Sequence, residues 1–199
     1  MEGAIVVLVL VAVGVTAVVA TLRWRAGTRS ERTRDALALS AADEPRALHG
    51  DVRRLRPGDV VAYDGTDFVI DRTMRFEEEG FTWDEHLLLD EVSGRKMWLS
   101  VEDDDGLEVA VYQRVEGAAL EPGPAELTHD GTTFRRDEQG RAAYRTEERS
   151  GPGAQGAMEY AEYVAGGRRL AFERYGTGSW EVSTGTPVSE HVLDIYPAR

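Results

Sequence analysis

The chain has no cysteine, no asparagine and one lysine, Lys96. Without cysteine there are no disulfides, no thiol nucleophile, no thiolate zinc site and no lipid-modified cysteine. Without asparagine there is no N-glycosylation acceptor. Lys96 aside, every basic residue is arginine, a bias that fits a GC-rich genome. Gly-x-Ser-x-Gly, His-Glu-x-x-His and Gly-Lys-Ser/Thr are also missing, which removes the nucleophile elbow, the zincin helix and the phosphate loop. His49, His86, His129 and His191 have no metal-ligand spacing. No catalytic set, metal site or cofactor is assigned, and a non-enzymatic role is favoured over an enzymatic one.

The most decisive feature present is a charge-free run of 19 residues, Ala4 to Leu22. As a helix rising about 1.5 Å per residue it spans about 28 Å, close to the hydrocarbon thickness of a bilayer. Only Met1, Glu2 and Gly3 precede it, whereas Arg23, Arg25, Arg29, Arg32 and Arg34 follow, opposed by Glu31. Arginine-rich flanks stay on the cytoplasmic side. Residues 1–24 are therefore expected to form a single-pass anchor with its N-terminus outside and Trp24 at the cytoplasmic interface. A cleaved signal peptide is the rival; it needs a basic n-region that this chain lacks. Ala12, Thr16 and Ala20 would form a stripe of small residues, better explained as ordinary composition since no full Gly-x-x-x-Gly occurs.

Charge is uneven. Residues 50–199 carry 17 basic and 31 acidic residues, a net charge of −14, within a whole-chain value of −13. So acidic a body repels nucleic acid. It attracts cations, polyamines or a basic partner, although solubility alone commonly explains such a charge.

Residues 25–54 read as a juxtamembrane linker and residues 55–199 as an all-β domain. Within that domain two segments echo each other, about 59–115 and 125–188. Each opens with an extended run followed by Asp-Gly-Thr-x-Phe, at Asp64 to Phe68 and Asp130 to Phe134. Asp-Gly supplies the positive φ angles of a tight hairpin turn. Trp83-Asp84-Glu85-His86-Leu87 matches Tyr160-Ala161-Glu162-Tyr163-Val164. Gly94 to Met97 matches Gly167 to Leu170, and Leu107-Glu108-Val109 matches Trp180-Glu181-Val182, both at an offset of 73 residues. Met97, Leu99 and Val101 alternate with Lys96, Trp98 and Ser100, the period of a strand with one buried face. Val192, Ile195 and Tyr196 suggest a closing strand. The expected fold is all-β: two tandem pseudo-repeated antiparallel units packed together, preceded by one transmembrane helix. Whether they make one barrel-like body or two is open.

Three motifs invite chemistry. Gly151 to Gly156 satisfies Gly-x-Gly-x-x-Gly, but Pro152 and the polar residues before it fit a hairpin loop better than a dinucleotide site. Glu102 to Gly106 hints at a calcium loop, yet Val101 and Tyr112 stand where that pattern needs acids, so an acidic turn is expected. Trp83-Asp84-Glu85-His86 places two acids and a histidine beside an aromatic. On a strand Asp84 and His86 share one face and Glu85 the other. Because the second segment keeps aromatic-x-Glu-aromatic-aliphatic but not the histidine, a structural role is favoured there. Trp83, Glu85, His86, Glu162 and Tyr163 are accordingly candidate ligand or repeat-interface residues.

Taken together, Leu55 to Val61, Trp83 to Leu87, Trp98 to Glu102 and Phe172-Glu173-Arg174 resemble the bacterial membrane-associated family called domain of unknown function 4178, over about residues 55–197. The resemblance implies a bacterial protein, placed by its anchor in the inner membrane, and no established catalytic residues. It also implies genes neighbouring spermidine-synthase-like and small membrane proteins. The family often has Tyr where this chain has His86.

The expected function is a membrane-anchored, non-catalytic binding or scaffold module. Its acidic domain would be cytoplasmic and would engage a polyamine, another cationic ligand or a membrane-protein partner, and no nucleic acid. The alternatives are an accessory component of a polyamine-related pathway and an extracytoplasmic sensor domain.

Overall fold

The computed structural model describes residues 50–198. The run Ala4 to Leu22, and with it the anchor, its orientation and most of the linker, lies outside them. Among the described residues no helix is long and apolar enough to cross a membrane, and no α-helix occurs.

Eleven strands follow one another: β1 Val60–Tyr63, β2 Thr66–Glu78, β3 Phe81–Leu89, β4 Lys96–Asp103, β5 Leu107–Arg114, β6 Glu126–His129, β7 Thr132–Glu148, β8 Gln155–Ala165, β9 Arg168–Tyr175, β10 Glu181–Val188 and β11 Asp194–Tyr196. All pairings are antiparallel. Their order is β11-β1-β2-β3-β4-β5-β10-β9-β8-β7-β6, and β2 also pairs with β7. That extra pairing closes β2, β3, β4, β5, β10, β9, β8 and β7 into an eight-stranded barrel, with β1 and β11 extending one half and β6 the other. Closure removes the open edges that β2 and β7 would otherwise expose.

Local chemistry explains the hairpins. Asp64-Gly65 has φ 49° and 72°, and Asp130-Gly131 has 46° and 71°, both left-handed at the two central positions as a type I′ turn requires. Glu79-Gly80, at 51° and 88°, turns β2 into β3 the same way. The Gly151–Gly156 motif falls in the hairpin from β7 to β8 and is followed by a strand, the opposite of a dinucleotide site.

The two five-strand halves are arranged symmetrically. β2 and β7, each the long second strand of its half, carry register shifts at matching places, between Ile70 and Arg72 and between Arg136 and Glu138. Such a bulge bends a strand sharply, letting its first part cover one face while the rest joins the barrel. Where the halves meet, equivalent residues pair: Glu77 with Ala143 across β2–β7, and Tyr112 with Gly185 across β5–β10.

Each half has its own core outside the barrel ring. In the first, Phe68, Ile70, Leu88, Leu99, Val101, Val109 and Val111 pack under Val61, Ile195 and the short 3-10 turn Val52–Arg54. Val52, which falls in the sequence-expected linker, is 3% exposed. In the second half, Phe134, Tyr163, Leu170, Phe172 and Val182 pack under Leu127 and the segment carrying Ala118 and Leu120. Burying aliphatic and aromatic side chains contributes about 1.5–3 kcal/mol each before entropy is charged against it. The alternation in β4 and β9 therefore has two covered sides. Leu99 and Leu170 face the outer cores, while Trp98, Ser100, Arg169 and Ala171 face the barrel interior.

Candidate functional site

The barrel encloses a cavity of about 430 Å³, within the range of small-molecule sites. Part of its wall is apolar, where Met74, Met158, Trp83, Trp98, Tyr144, Tyr160 and Tyr175 line it, backed by Phe76 and Ala142. Trp83 stacks on Phe76 at 4.9 Å between ring centroids and meets Tyr160 edge-on at 5.7 Å; Tyr144 meets Tyr175 edge-on at 5.3 Å. These offset and edge geometries are the favoured ones for aromatic rings.

The remaining wall is charged. Seven glutamates and three arginines line the cavity, and carboxylates already hold all three arginines. The Arg72 Nε donates to both Glu148 oxygens at 2.7 and 2.8 Å. Arg114 pairs with Glu181. Arg169 on β9 donates to Glu162 of β8 at 3.0 Å and to Glu108 of β5 at 3.0 Å, so it ties three strands together. The Tyr112 hydroxyl adds a bond to the second Glu162 oxygen at 3.2 Å.

Burial pushes the Glu162 carboxyl up to about 7, against the pull of Arg169. Burial alone would lower the Arg169 guanidinium, but Glu162, Tyr112 and Glu108 raise it above its usual value.

Glu85 and Glu173 form a second acidic centre. They come from β3 and β9, four strands apart in the eight-strand ring and so on opposite walls, and both line the cavity close enough for the charge of one to bear on the other. Trp83 Nε1 donates to Glu85 at 3.3 Å, and the Tyr175 hydroxyl donates to Glu173 at 2.6 Å. Burial raises both carboxyls; Glu173 raises Glu85 further and Glu181 raises Glu173 further. Two facing carboxyls cannot both ionise cheaply, so each disfavours the other's charged form. Both lie deep in the protein yet keep some accessible surface, because that surface faces the cavity.

Of the five candidates from sequence, Trp83, Glu85 and Glu162 line this cavity. His86 and Tyr163, one residue along from the two glutamates, point to the opposite face. His86 is 1% exposed, and its Nδ1 lies 2.9 Å from Thr73 Oγ1. Burial lowers it from 6.5 to about 3, so it stays neutral. Tyr163 belongs to the second outer core, donating to the Pro124 carbonyl and accepting from Gly123 N–H, both at 2.9 Å. Glu85, His86 and Glu162 therefore do not share one site.

Arg169, Glu173, Tyr175 and Tyr112 are among the cavity residues that were not candidates from the sequence. Their signal was the polar face of β5 and β9, which period-two patterning alone assigns to solvent. The acidic run Glu102 to Gly106 forms the β4–β5 hairpin, where Asp103 accepts from Arg53 Nε at 2.8 Å.

Comparisons agree with the resemblance seen in sequence. The family model described as "Domain of unknown function (DUF4178)" matches residues 56–190. Uncharacterized proteins of Mycobacterium bovis and of Mycobacterium tuberculosis strain H37Rv are each 36% identical over 202 residues, covering 98% of this chain and 94% of the relative. No solved structure matches. With a barrel that coincides with the matched segment, the chain belongs to the family known as domain of unknown function 4178.

Proposed function

We propose that this protein is a membrane-tethered, non-catalytic binding module whose barrel receives a small organic cation from the cytoplasm. The supporting observation is the charge balance of the cavity wall. Its three arginines are each committed to a carboxylate, while Glu85 and Glu173 face each other with no arginine among the described residues bonded to either. Negative charge beside aromatic faces suits a cation with an apolar stem, since both the carboxylates and the ring quadrupoles attract it. The tether in this proposal is the run Ala4 to Leu22, with the arginines after it on the cytoplasmic side.

The binding half is tested by titrating the full-length protein in detergent with spermidine at physiological salt. Saturable binding supports it, and no saturation up to millimolar ligand overturns it. The tether and its direction are tested by reporters fused after Arg199. A periplasmic signal reverses the topology and favours a sensor role, and a signal from the soluble fraction removes the anchor.

A further inference from the structure

We propose that the Glu85–Glu173 pair seats a primary ammonium group: a protonated alkylamine enters between the two carboxyls, takes the place of the proton between them and sends that proton to solvent. The inference rests on the cation-binding role above and names its ligand class and its seat.

Geometry carries it. Glu85 on β3 and Glu173 on β9 line the cavity from opposite walls of the barrel, near enough for each to feel the other's charge. Trp83 Nε1 holds one Glu85 oxygen and the Tyr175 hydroxyl holds one Glu173 oxygen, at 3.3 and 2.6 Å. Those donors orient the carboxyls and leave the other oxygens for whatever lies between. Two carboxyls facing each other across the cavity favour a proton between them, since neither gains from the other's negative charge.

A primary ammonium offers three N–H donors and full positive charge, so it can bond both carboxylates at once and neutralise the second negative charge that otherwise forbids their joint ionisation. The exchange balances: R–NH3+ plus one shared proton on two carboxyls gives R–NH3+ on two carboxylates plus H+. Trp83, Tyr144, Tyr160, Tyr175 and Met74 supply the apolar wall for the alkyl stem. A quaternary ammonium has no donors for the oxygens. A metal ion lacks ligands: among the described residues no group of three His, Asp or Glu is placed to hold one.

Other charges face the pair from the surrounding strands. Glu162 from β8 and Glu181 from β10 disfavour ionisation, while Arg114 from β5 favours it. The Tyr112 phenol from β5 stays neutral, since burial raises it. Glu102 from β4 also lines the cavity, as do Arg72 from β2 and Glu148 from β7, which neutralise one another.

The test is calorimetric titration of the full-length protein in detergent with n-butylamine, 1,4-diaminobutane and tetramethylammonium. Each is run between pH 6 and 8.5 in buffers of differing ionisation enthalpy. The expected result is release of close to one proton per amine bound wherever the pair holds its proton. Affinity should then rise up to about tenfold per pH unit, with tetramethylammonium at least tenfold weaker. E85Q and E173Q should lose the proton release and at least tenfold in affinity. Amine binding with no proton release and no pH dependence overturns the seat while sparing the cation-binding role. Equal affinity for tetramethylammonium does the same. Failure of every amine and of spermidine to bind overturns both. The wild-type proton count decides the matter even if a glutamine variant fails to fold.

Discussion

Tyr112 and Gly185 face each other as paired residues across the β5–β10 seam, and a Cβ built on Gly185 would collide with the Tyr112 ring at Cε1. They hold equivalent positions in the two halves, yet only one of the two places can carry a ring. The phenol occupies the space of both and reaches Glu162. Gly185→Ala should therefore displace the ring and weaken that hydrogen bond. The expected loss is about 1–3 kcal/mol of stability, the usual cost of overpacking, with weakened amine binding. Urea denaturation checks the first and calorimetry the second.

His86 should make the domain acid-sensitive. Its folded value, about 3, lies below its ordinary 6.5, so the unfolded chain takes up a proton that the folded chain refuses. The stability that neutral His86 permits is complete above about pH 6.5 and falls as pH drops toward 3, by up to about 1.4 kcal/mol per pH unit. Stability of wild type minus that of His86→Leu, followed by denaturation from pH 8 to 4.5, should decline toward acid. A pH-independent difference would remove His86 from the account.

Glu162 works in the opposite direction. Its folded value, about 7, lies above the ordinary 4.5. The contribution of its protonated form is present below pH 4.5 and is lost as pH rises through 7. Carboxyl carbon shifts of Glu162, measured by NMR in the ligand-free protein, should titrate near neutrality. A midpoint near 4.5 would show that Arg169 outweighs burial.

Arg169 links Glu162 to Glu108 with all three side chains about a fifth exposed, at 21, 15 and 26%. Arg169→Met removes the cation that two carboxylates share and should cost about 2–4 kcal/mol at pH 8, somewhat under the cost of breaking a fully buried pair. At pH 5.5 the loss should shrink, because Glu162 is then protonated. Arg169→Lys keeps the charge but not the fork that reaches both acids, so it should rescue only part. Chemical denaturation at the two pH values reads all three outcomes.

Much of the local structure is legible in sequence. Asp64-Gly65 and Asp130-Gly131 turn where Asp-Gly must turn, since few residues tolerate left-handed backbone. Period-two spacing correctly separates Glu85 from His86 and Glu162 from Tyr163. The repeat arithmetic is less exact in one place. With His86 and Tyr163 as equivalents, the strand registers put Leu99, not Met97, in the position of Leu170. The β3–β4 connection runs from Asp90 to Arg95, whereas Gly166-Gly167 alone joins β8 to β9. Loop length slips freely between halves, while the side-chain face, which packing constrains, does not.

Which residues turn, which alternate, and that Glu85 and Glu162 occupy like positions of like strands all follow from the order of residues along the chain. These are properties of near neighbours, set by backbone sterics and the two-residue period of a strand. What the polar faces meet depends instead on how distant strands pair. Pairing β2 with β7 and β5 with β10 joins residues about 70 apart in the chain. That closure turns faces that alternation alone assigns to solvent into the wall of a cavity. It also brings Glu173 across to Glu85, because a ring of eight strands sets β3 opposite β9.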